Sequence, residues 1–222
     1  FKRKVCSNGC VVKGIADDNY VRGFVLKADI KHYFDTVDHQ KLLGIISERI
    51  VDSDVIDLVR RVMGNHRSNF IGKGMPLGNL TSQFFANVYL NEFDQFVKHN
   101  IKAKYYLRYV DDFVILHCSA QQLVEWKEIL NAFLRKELLL ELHPQKSMII
   151  PLGRGVDFLG FKCFYYFRLL RNRNIRKILL KLRRLKELHE AGEIGVEQVL
   201  EVWKGWDAYA MHGNTHNLRR II

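Results

Sequence analysis

The segment RYVDDFVIL, Arg108 to Leu116, sets two adjacent carboxylates, Asp111 and Asp112, in a stretch otherwise suited to a buried strand. Removing an ionised carboxylate from water without a partner costs several kcal/mol or more. A chain carrying such a pair must therefore turn there at the surface or hold something cationic against it. Residues of high β propensity flank the pair on both sides over Lys104–Cys118, which predicts two strands joined by a tight turn.

The rest of the chain supplies the frame for that turn. VRGFVLKADI (21–30) reads as a buried strand with an acidic end. Helical apolar spacing follows over Lys41–Ile50 and Ser53–Met63. GNHRSNFIGKGMPLGN (64–79) is rich in glycine and asparagine and reads as a loop or hairpin. From Leu80 to Val97, the residues Phe84, Phe85, Val88, Phe93, Phe96 and Val97 predict a long, largely buried helix, and a further helix is expected over Gln121–Leu138. Strands are expected within Leu139–Ile150, broken at His143-Pro144, and in VDFLGFKCFYYF. Helices then run from Asn174 to about Ala191 and over Val196–Trp206. The order β, α, α, α, β, β, α, β, β with a helical tail predicts an α+β sheet domain with a small helical appendage.

Asp29 ends one strand, FVLKAD, and the Asp111-Asp112 pair lies at the tip of another. Three carboxylates gathered at strand ends repel one another unless cations neutralise them. Mg²⁺ suits such a set, because it prefers carboxylate oxygens, keeps waters and accepts phosphate oxygens. Two such ions ~4 Å apart serve phosphoryl transfer by activating the attacking oxygen and stabilising the leaving one. Asp-Asp is also good turn chemistry, however, and Asp29 would equally cap a helix over Lys31–Phe34.

Composition bears on that choice. The net charge of +11 over 222 residues and a pI of about 9.5 favour a polyanionic partner such as nucleic acid. A hydrophobic fraction of 48% excludes a disordered chain. No apolar run reaches transmembrane length, and FKRKVCSNGC lacks a signal peptide's apolar region. Cys6, Cys10, Cys118 and Cys163 lack the partners of a zinc site and read as reduced thiols of a cytosolic protein. The chain begins with Phe1 rather than Met, so a preceding segment is expected.

Four motifs in order give the chain a resemblance to reverse transcriptases, running from about Val25 to the C-terminus. KADIKHYFDTVDH (27–39) resembles the first catalytic block and YVDD (109–112) the second. ELHPQKS (141–147) resembles the block whose lysine lies near the incoming triphosphate, and FLGF (158–161) the primer-grip hairpin. The resemblance implies a right-hand polymerase palm, an antiparallel sheet with helices packed on one face, plus a helical thumb, with the fingers mostly missing. The implied domains are a fingers remnant over 1–20, a palm over 21–167 and a thumb over 168–222.

The same resemblance implies two Mg²⁺ ions, with Mn²⁺ as a substitute, held by Asp29, the Ile30 carbonyl, Asp111 and Asp112. Lys146 would neutralise or protonate the departing pyrophosphate; a solvated surface lysine is the plain alternative. Phe34 stands where the family keeps an aromatic gate against the ribose 2′-hydroxyl, the alternative being a core aromatic. Tyr109, Leu159 and Gly160 would support the primer end, although a packed strand tyrosine would also explain Tyr109.

MPLGNLTSQFFANVYLNEFD (75–94) bears on the subfamily. Relatives tied to group II introns mostly carry Gln-Gly and then Ser-Pro here, whereas this chain has Leu77-Gly78 and then Ser82-Gln83. That pattern is similar to diversity-generating retroelements. Leu77, Gly78 and Gln83 would then face the incoming nucleotide, and an apolar Leu77 would relax selection opposite template adenine; Leu77 as a simple loop anchor is the alternative. Group II intron-like and phage-defence reverse transcriptases are the nearest rivals, and an idle RNA-binding relic is the rival outside enzymes.

In Arg168–Lys186, Ile175, Leu179, Leu182 and Leu185 define an apolar stripe, leaving Arg173, Arg176, Lys177, Arg183 and Arg184 on other faces. Such an array suits a phosphate-contacting helix. Trp203 and Trp206 read as core of a small helical bundle. The implied partners are an RNA template, a DNA or RNA primer, dNTPs and a small basic accessory protein, without a membrane, in prokaryotic cytoplasm.

Overall fold

A computed structural model describes residues 22–65, 71–76, 78–164 and 166–221. The proposed fingers remnant, with Cys6 and Cys10, and the loop residue Leu77 lie outside these residues. The described chain divides into two compact units, one spanning Gly23–Ile150 and the other beginning at Pro151.

The first unit is built on a four-stranded sheet. Its strands are β1 (Phe24–Asp29), β2 (Tyr106–Tyr109), β3 (Asp112–His117) and β4 (Met148–Pro151), in the order β2-β3-β1-β4. β3 pairs antiparallel with both β1 and β2. The tight turn expected from RYVDDFVIL is present, with only Val110 and Asp111 between β2 and β3. Its helices are α1 (Tyr33–Thr36), α2 (His39–Ser47), α3 (Ser53–Gly64), α4 (Leu80–Gln95) and α5 (Ala120–Leu138). Asp38, Asp52 and Ser119 accept backbone N–H bonds at the starts of α2, α3 and α5, satisfying donors that a helix start leaves orphaned.

Side chains alternate across a strand, and this assigns the two faces of the sheet different tasks. Leu26 and Ala28 of β1 lie opposite Ile115 and Phe113 of β3, and all four join the main hydrophobic core with Phe85, Tyr89 and Phe93 of α4 and Leu130 and Leu134 of α5. Phe93 stacks at a tilt on Phe113 with ring centroids 5.1 Å apart. Asp29 and Asp112 have the opposite parity and project from the other face. Two buried tyrosines fasten helices to the core through their hydroxyls, Tyr33 donating to the Ala86 carbonyl and Tyr89 to that of Leu138, each at 2.7 Å.

Two expectations for α4 need correction. The helix ends at Gln95 and continues as a π turn over Phe96–Asn100, where Phe96 stacks on Phe133 at 4.0 Å. Phe84 is 63% exposed rather than buried. It sits one residue off the stripe of Phe85, Tyr89 and Phe93, at a position that a helix of 3.6 residues per turn carries away from the sheet.

The second unit holds a three-stranded antiparallel sheet, β5 (Val156–Phe158), β6 (Phe161–Cys163) and β7 (Arg168–Leu170). Three helices accompany it, α6 (Asn172–Glu190), α7 (Val196–Ala210) and α8 (His216–Ile221). Its core is Phe161, Leu170, Ile178, Trp206 and Ala210. Trp206 is core as expected. On α6 Ile178 is buried with Ile175 and Leu182 partly buried beside it, while Leu179 is 47% exposed.

The β5–β6 hairpin turns through Leu159 and Gly160 with φ of 47° and 84°. Both central residues in the left-handed region is the geometry that matches the twist of paired strands. The Gly160 carbonyl accepts from Asn174 Nδ2 and from the Arg171 amide, each at 3.2 Å, and the Tyr209 hydroxyl donates to the Leu159 carbonyl at 3.4 Å. A Cβ on Gly160 would lie 2.0 Å from the Tyr209 hydroxyl oxygen. Gly160→Ala is therefore expected to destabilise the protein by about 1–3 kcal/mol through steric and backbone strain. A urea titration that finds the variant as stable as the parent would refute this packing.

Candidate active site

Antiparallel register places Asp29 directly opposite Asp112, because β1 and β3 run side by side to those residues. Asp111 stands in the adjoining turn, and its carbonyl accepts the Ile30 amide at 3.3 Å. The fold thus brings all three predicted carboxylates to one end of the sheet, Asp29 joining a pair that lies 82 and 83 residues further along the chain. Ile30 is buried, bridged to Leu142 on its other side.

The ELHPQKS segment closes over the end of β1. The His143 amide donates to the Asp29 carbonyl at 2.7 Å, and the Lys31 amide donates to the Glu141 carbonyl at 2.9 Å. The Leu142 amide is held by Asn131 Oδ1 of α5 at 3.0 Å. A turn after Pro144 then returns Lys146, whose Nζ donates to Asp29 Oδ2 at 2.8 Å. The Asp29 side chain is 14% exposed and that of Lys146 59% exposed. An ion pair this open contributes only about 0–1 kcal/mol.

That pair does not relieve Asp111. Partial burial pushes the Asp111 carboxyl above its ordinary range; its own backbone hydrogen bond acts against this, and the neighbouring charges of Asp29 and Asp112 push it further up. Lys146 lowers it, but less. The Lys146 ammonium is in turn held above its usual range, first by its hydrogen bond to Asp29.

The donor chemistry fits a hard divalent cation, with three carboxylates at one sheet end repelling one another. Yet among the described residues no group of three or more His, Cys, Asp or Glu side chains is arranged to hold a metal ion. The metal set read as Asp29, Ile30, Asp111 and Asp112 is thus brought together by backbone register without its side chains forming a ligating cluster. Lys146 takes one oxygen of Asp29, and like charges favour separated carboxylates.

Tyr109 pairs with Asp112 across β2 and β3 and is 58% exposed. Phe34 is half-buried, edge-on to Tyr33 at 5.4 Å, and its carbonyl accepts the Met75 amide at 2.6 Å. That bond ties α1 to Met75, and Gly78 has φ of 92°. Gln83 lies in the first turn of α4, exposed, with its amide donating to the Asn79 carbonyl at 3.3 Å. In the second unit, Leu159 and Gly160 form the hairpin turn, and Arg173, Arg176, Lys177 and Arg184 are exposed along α6.

Two contributors escape the sequence reading. Glu141 binds Lys31 at 2.6 Å and fixes the closing segment. Arg108 makes a nearly buried ion pair with Asp94, whose second neighbour is the Tyr106 hydroxyl at 2.5 Å. Removing one partner of a buried pair costs about 3–5 kcal/mol. A signal for Arg108 did exist: in alternation it shares the inward parity of Tyr106, and an inward arginine needs an acid.

The family model described as reverse transcriptase (RNA-dependent DNA polymerase) matches residues 7–163. The chain belongs to the reverse transcriptase family. It is similar to protein YkfC of Escherichia coli, 28% identical over 198 residues that cover 72% of this chain and 50% of that protein. It is also similar to the group II intron-encoded protein LtrA of Lactococcus lactis, 26% identical over 63% of this chain and 34% of that protein. Among solved structures, a telomerase from Candida tropicalis truncated from its C-terminal domain shares the fold at a TM-score of 0.53 and 13% identity, over 77% of this chain and 38% of that one. The chain thus spans half or less of the length of each. No described helix is long and apolar enough to cross a membrane.

The raised Asp111 ionisation has a stability consequence in this reverse transcriptase domain. The folded state holds the proton more tightly than the unfolded chain, so stability falls as pH rises through the folded value. Asp111→Asn is expected to raise the melting temperature of chelator-treated protein at pH 7 and to flatten its loss of stability between acidic and neutral pH. Thermal unfolding at several pH values checks this, and an unchanged or lower melting temperature would contradict it.

Proposed function

We propose that the chain is the catalytic core of an RNA-directed DNA polymerase that copies RNA by nucleotidyl transfer. The register of Asp29 against Asp112, with Asp111 in the adjoining turn, carries this reading inside a chain of the reverse transcriptase family. Asp29, Asp111 and Asp112 would hold two Mg²⁺ ions, with the Ile30 carbonyl completing the set and Mn²⁺ as a substitute. When bound, the ions would supply Lewis acidity at the attacking and leaving oxygens. Lys146, 2.8 Å from Asp29, would turn to the pyrophosphate and neutralise its charge as it leaves.

Phe34 would close the nucleotide site against a ribose 2′-hydroxyl. Tyr109 and the Leu159–Gly160 turn would support the primer end. The exposed Arg173, Arg176, Lys177 and Arg184 of α6 would meet duplex phosphates, which suits a chain of net charge +11. The domains would follow as palm over 21–167 and thumb over 168–222, in a prokaryotic cytoplasm. Primer extension by the full-length protein with an RNA template, dNTPs and Mg²⁺ tests the reading. Asp29→Asn and Asp112→Asn should each reduce synthesis by more than about 100-fold, beyond the loss of an outer-shell partner. Absence of extension by correctly folded wild-type protein would refute the polymerase assignment.

Leu77-Gly78 followed by Ser82-Gln83 supports a diversity-generating retroelement, with a structured template RNA and a small basic accessory protein as partners. An apolar side chain at 77 has no hydrogen bond to offer an incorrect or correct base, so discrimination would rest on shape alone. The similarity to LtrA favours a group II intron-like enzyme as the second reading. Sequencing the products decides between them. The wild type should misincorporate chiefly opposite template adenine and Leu77→Gln should reduce those errors several-fold, whereas an unchanged spectrum would remove the argument from Leu77.

A further inference from the structure

The turn that carries Asp111 is strained, and one side chain reaches it from the helical side of the sheet. Val110 has φ of 54°, a conformation that a β-branched residue adopts only under constraint. In a two-residue hairpin the first central position with positive φ normally belongs to glycine. Arg108, two residues earlier, donates from Nη1 to the Val110 carbonyl at 2.9 Å and to Asn87 Oδ1 at 3.1 Å. Its Nε and Nη2 grip Asp94 Oδ1 and Oδ2 at 2.8 and 2.6 Å. Asn87 and Asp94 both stand on α4, two turns apart, so the guanidinium is fixed at both ends by a helix buried against the sheet.

We infer that Arg108 is a positioning residue: held by Asp94 and Asn87, it locks Val110 in its left-handed conformation and so sets where Asp111 stands relative to Asp29. The planar fork matters as well as the charge. One edge of the guanidinium is committed to Asp94 while Nη1 remains to hold the turn, a division that an ammonium group cannot reproduce. The carbonyl of Asp111 accepts the Ile30 amide, so displacement of the turn is transmitted to the first catalytic block. The inference rests on the reading of Asp111 as a polymerase carboxylate.

A paired substitution separates positioning from simple support of the fold. Arg108→Lys keeps the charge against Asp94 and gives up the fork. It should lower kcat of primer extension by about 30-fold or more while KM for dNTP changes little, and amide exchange at Ile30 should accelerate at least tenfold. Glycine occupies positive φ without strain, so adding Val110→Gly to Arg108→Lys should restore about tenfold in kcat and slow the Ile30 exchange, without restoring the melting temperature. If the double variant exchanges and turns over no better than Arg108→Lys alone, the inference is overturned. Should Arg108→Lys not fold, Asn87→Ala, which frees one side of the cradle, takes its place in the same comparison. Ile30 exchange is read without substrate, so an inactive wild type would refute the polymerase reading while the exchange still decides whether Arg108 holds the turn.

Discussion

Like charges brought together at the end of one sheet are the constraint around which the first unit is arranged. Asp29 and Asp112 face each other because two strands pair in register, and Asp111 follows in the turn. Their mutual repulsion opposes folding, so the neighbourhood must supply compensation. Lys146 does so in part, from a segment anchored to β1 by the His143 and Lys31 backbone bonds. Its exposure limits what it contributes. The remaining stability comes from the opposite face of the sheet, where Leu26, Ala28, Phe113 and Ile115 are sealed by α4 and α5. An acidic sheet end that costs stability is tolerated because the apolar face of the same strands provides it.

Arg108 links the two. Its backbone belongs to β2, its side chain to the helical side, and its hydrogen bonds to the turn that bears Asp111. Strain at Val110, worth about 1–3 kcal/mol in such cases, persists only where the surroundings overdetermine it. The bidentate pair with Asp94 and the bond to Asn87 are such surroundings. The second unit shows the contrasting solution. The Leu159–Gly160 turn has glycine at its second left-handed position, and Asn174 and Tyr209 hold its carbonyls.

Much of this was readable in residue order. An apolar run predicted β1, and β-rich flanks predicted β2 and β3 with a tight turn at the acidic pair, which the structure sets one residue earlier at Val110–Asp111. Helical patterning located α2, α3, α5 and α7 within a few residues. Such patterns succeed because each element must present one continuous apolar face to a core. They failed where a single residue sits at the edge of a stripe. Phe84 and Leu179 are apolar yet exposed, since composition does not reveal which side of a broad stripe the neighbour covers. The π turn after Gln95 was equally invisible, because it changes hydrogen bonding without changing residue type.

The candidate site divides along the same line. The sequence by itself determined which residues carry charge, that Asp111 and Asp112 stand at a turn, and that motifs resembling those of a reverse transcriptase follow in order. The register of β2 against β3, a structural fact, set Tyr109 opposite Asp112. Only the tertiary structure decided that Lys146, 117 residues away, donates to Asp29, and that Asp94 of α4 holds Arg108. The reason is physical: local patterning reports which side of an element is buried, whereas ion pairs and braces between distant segments depend on register and on the way a helix lies across a sheet.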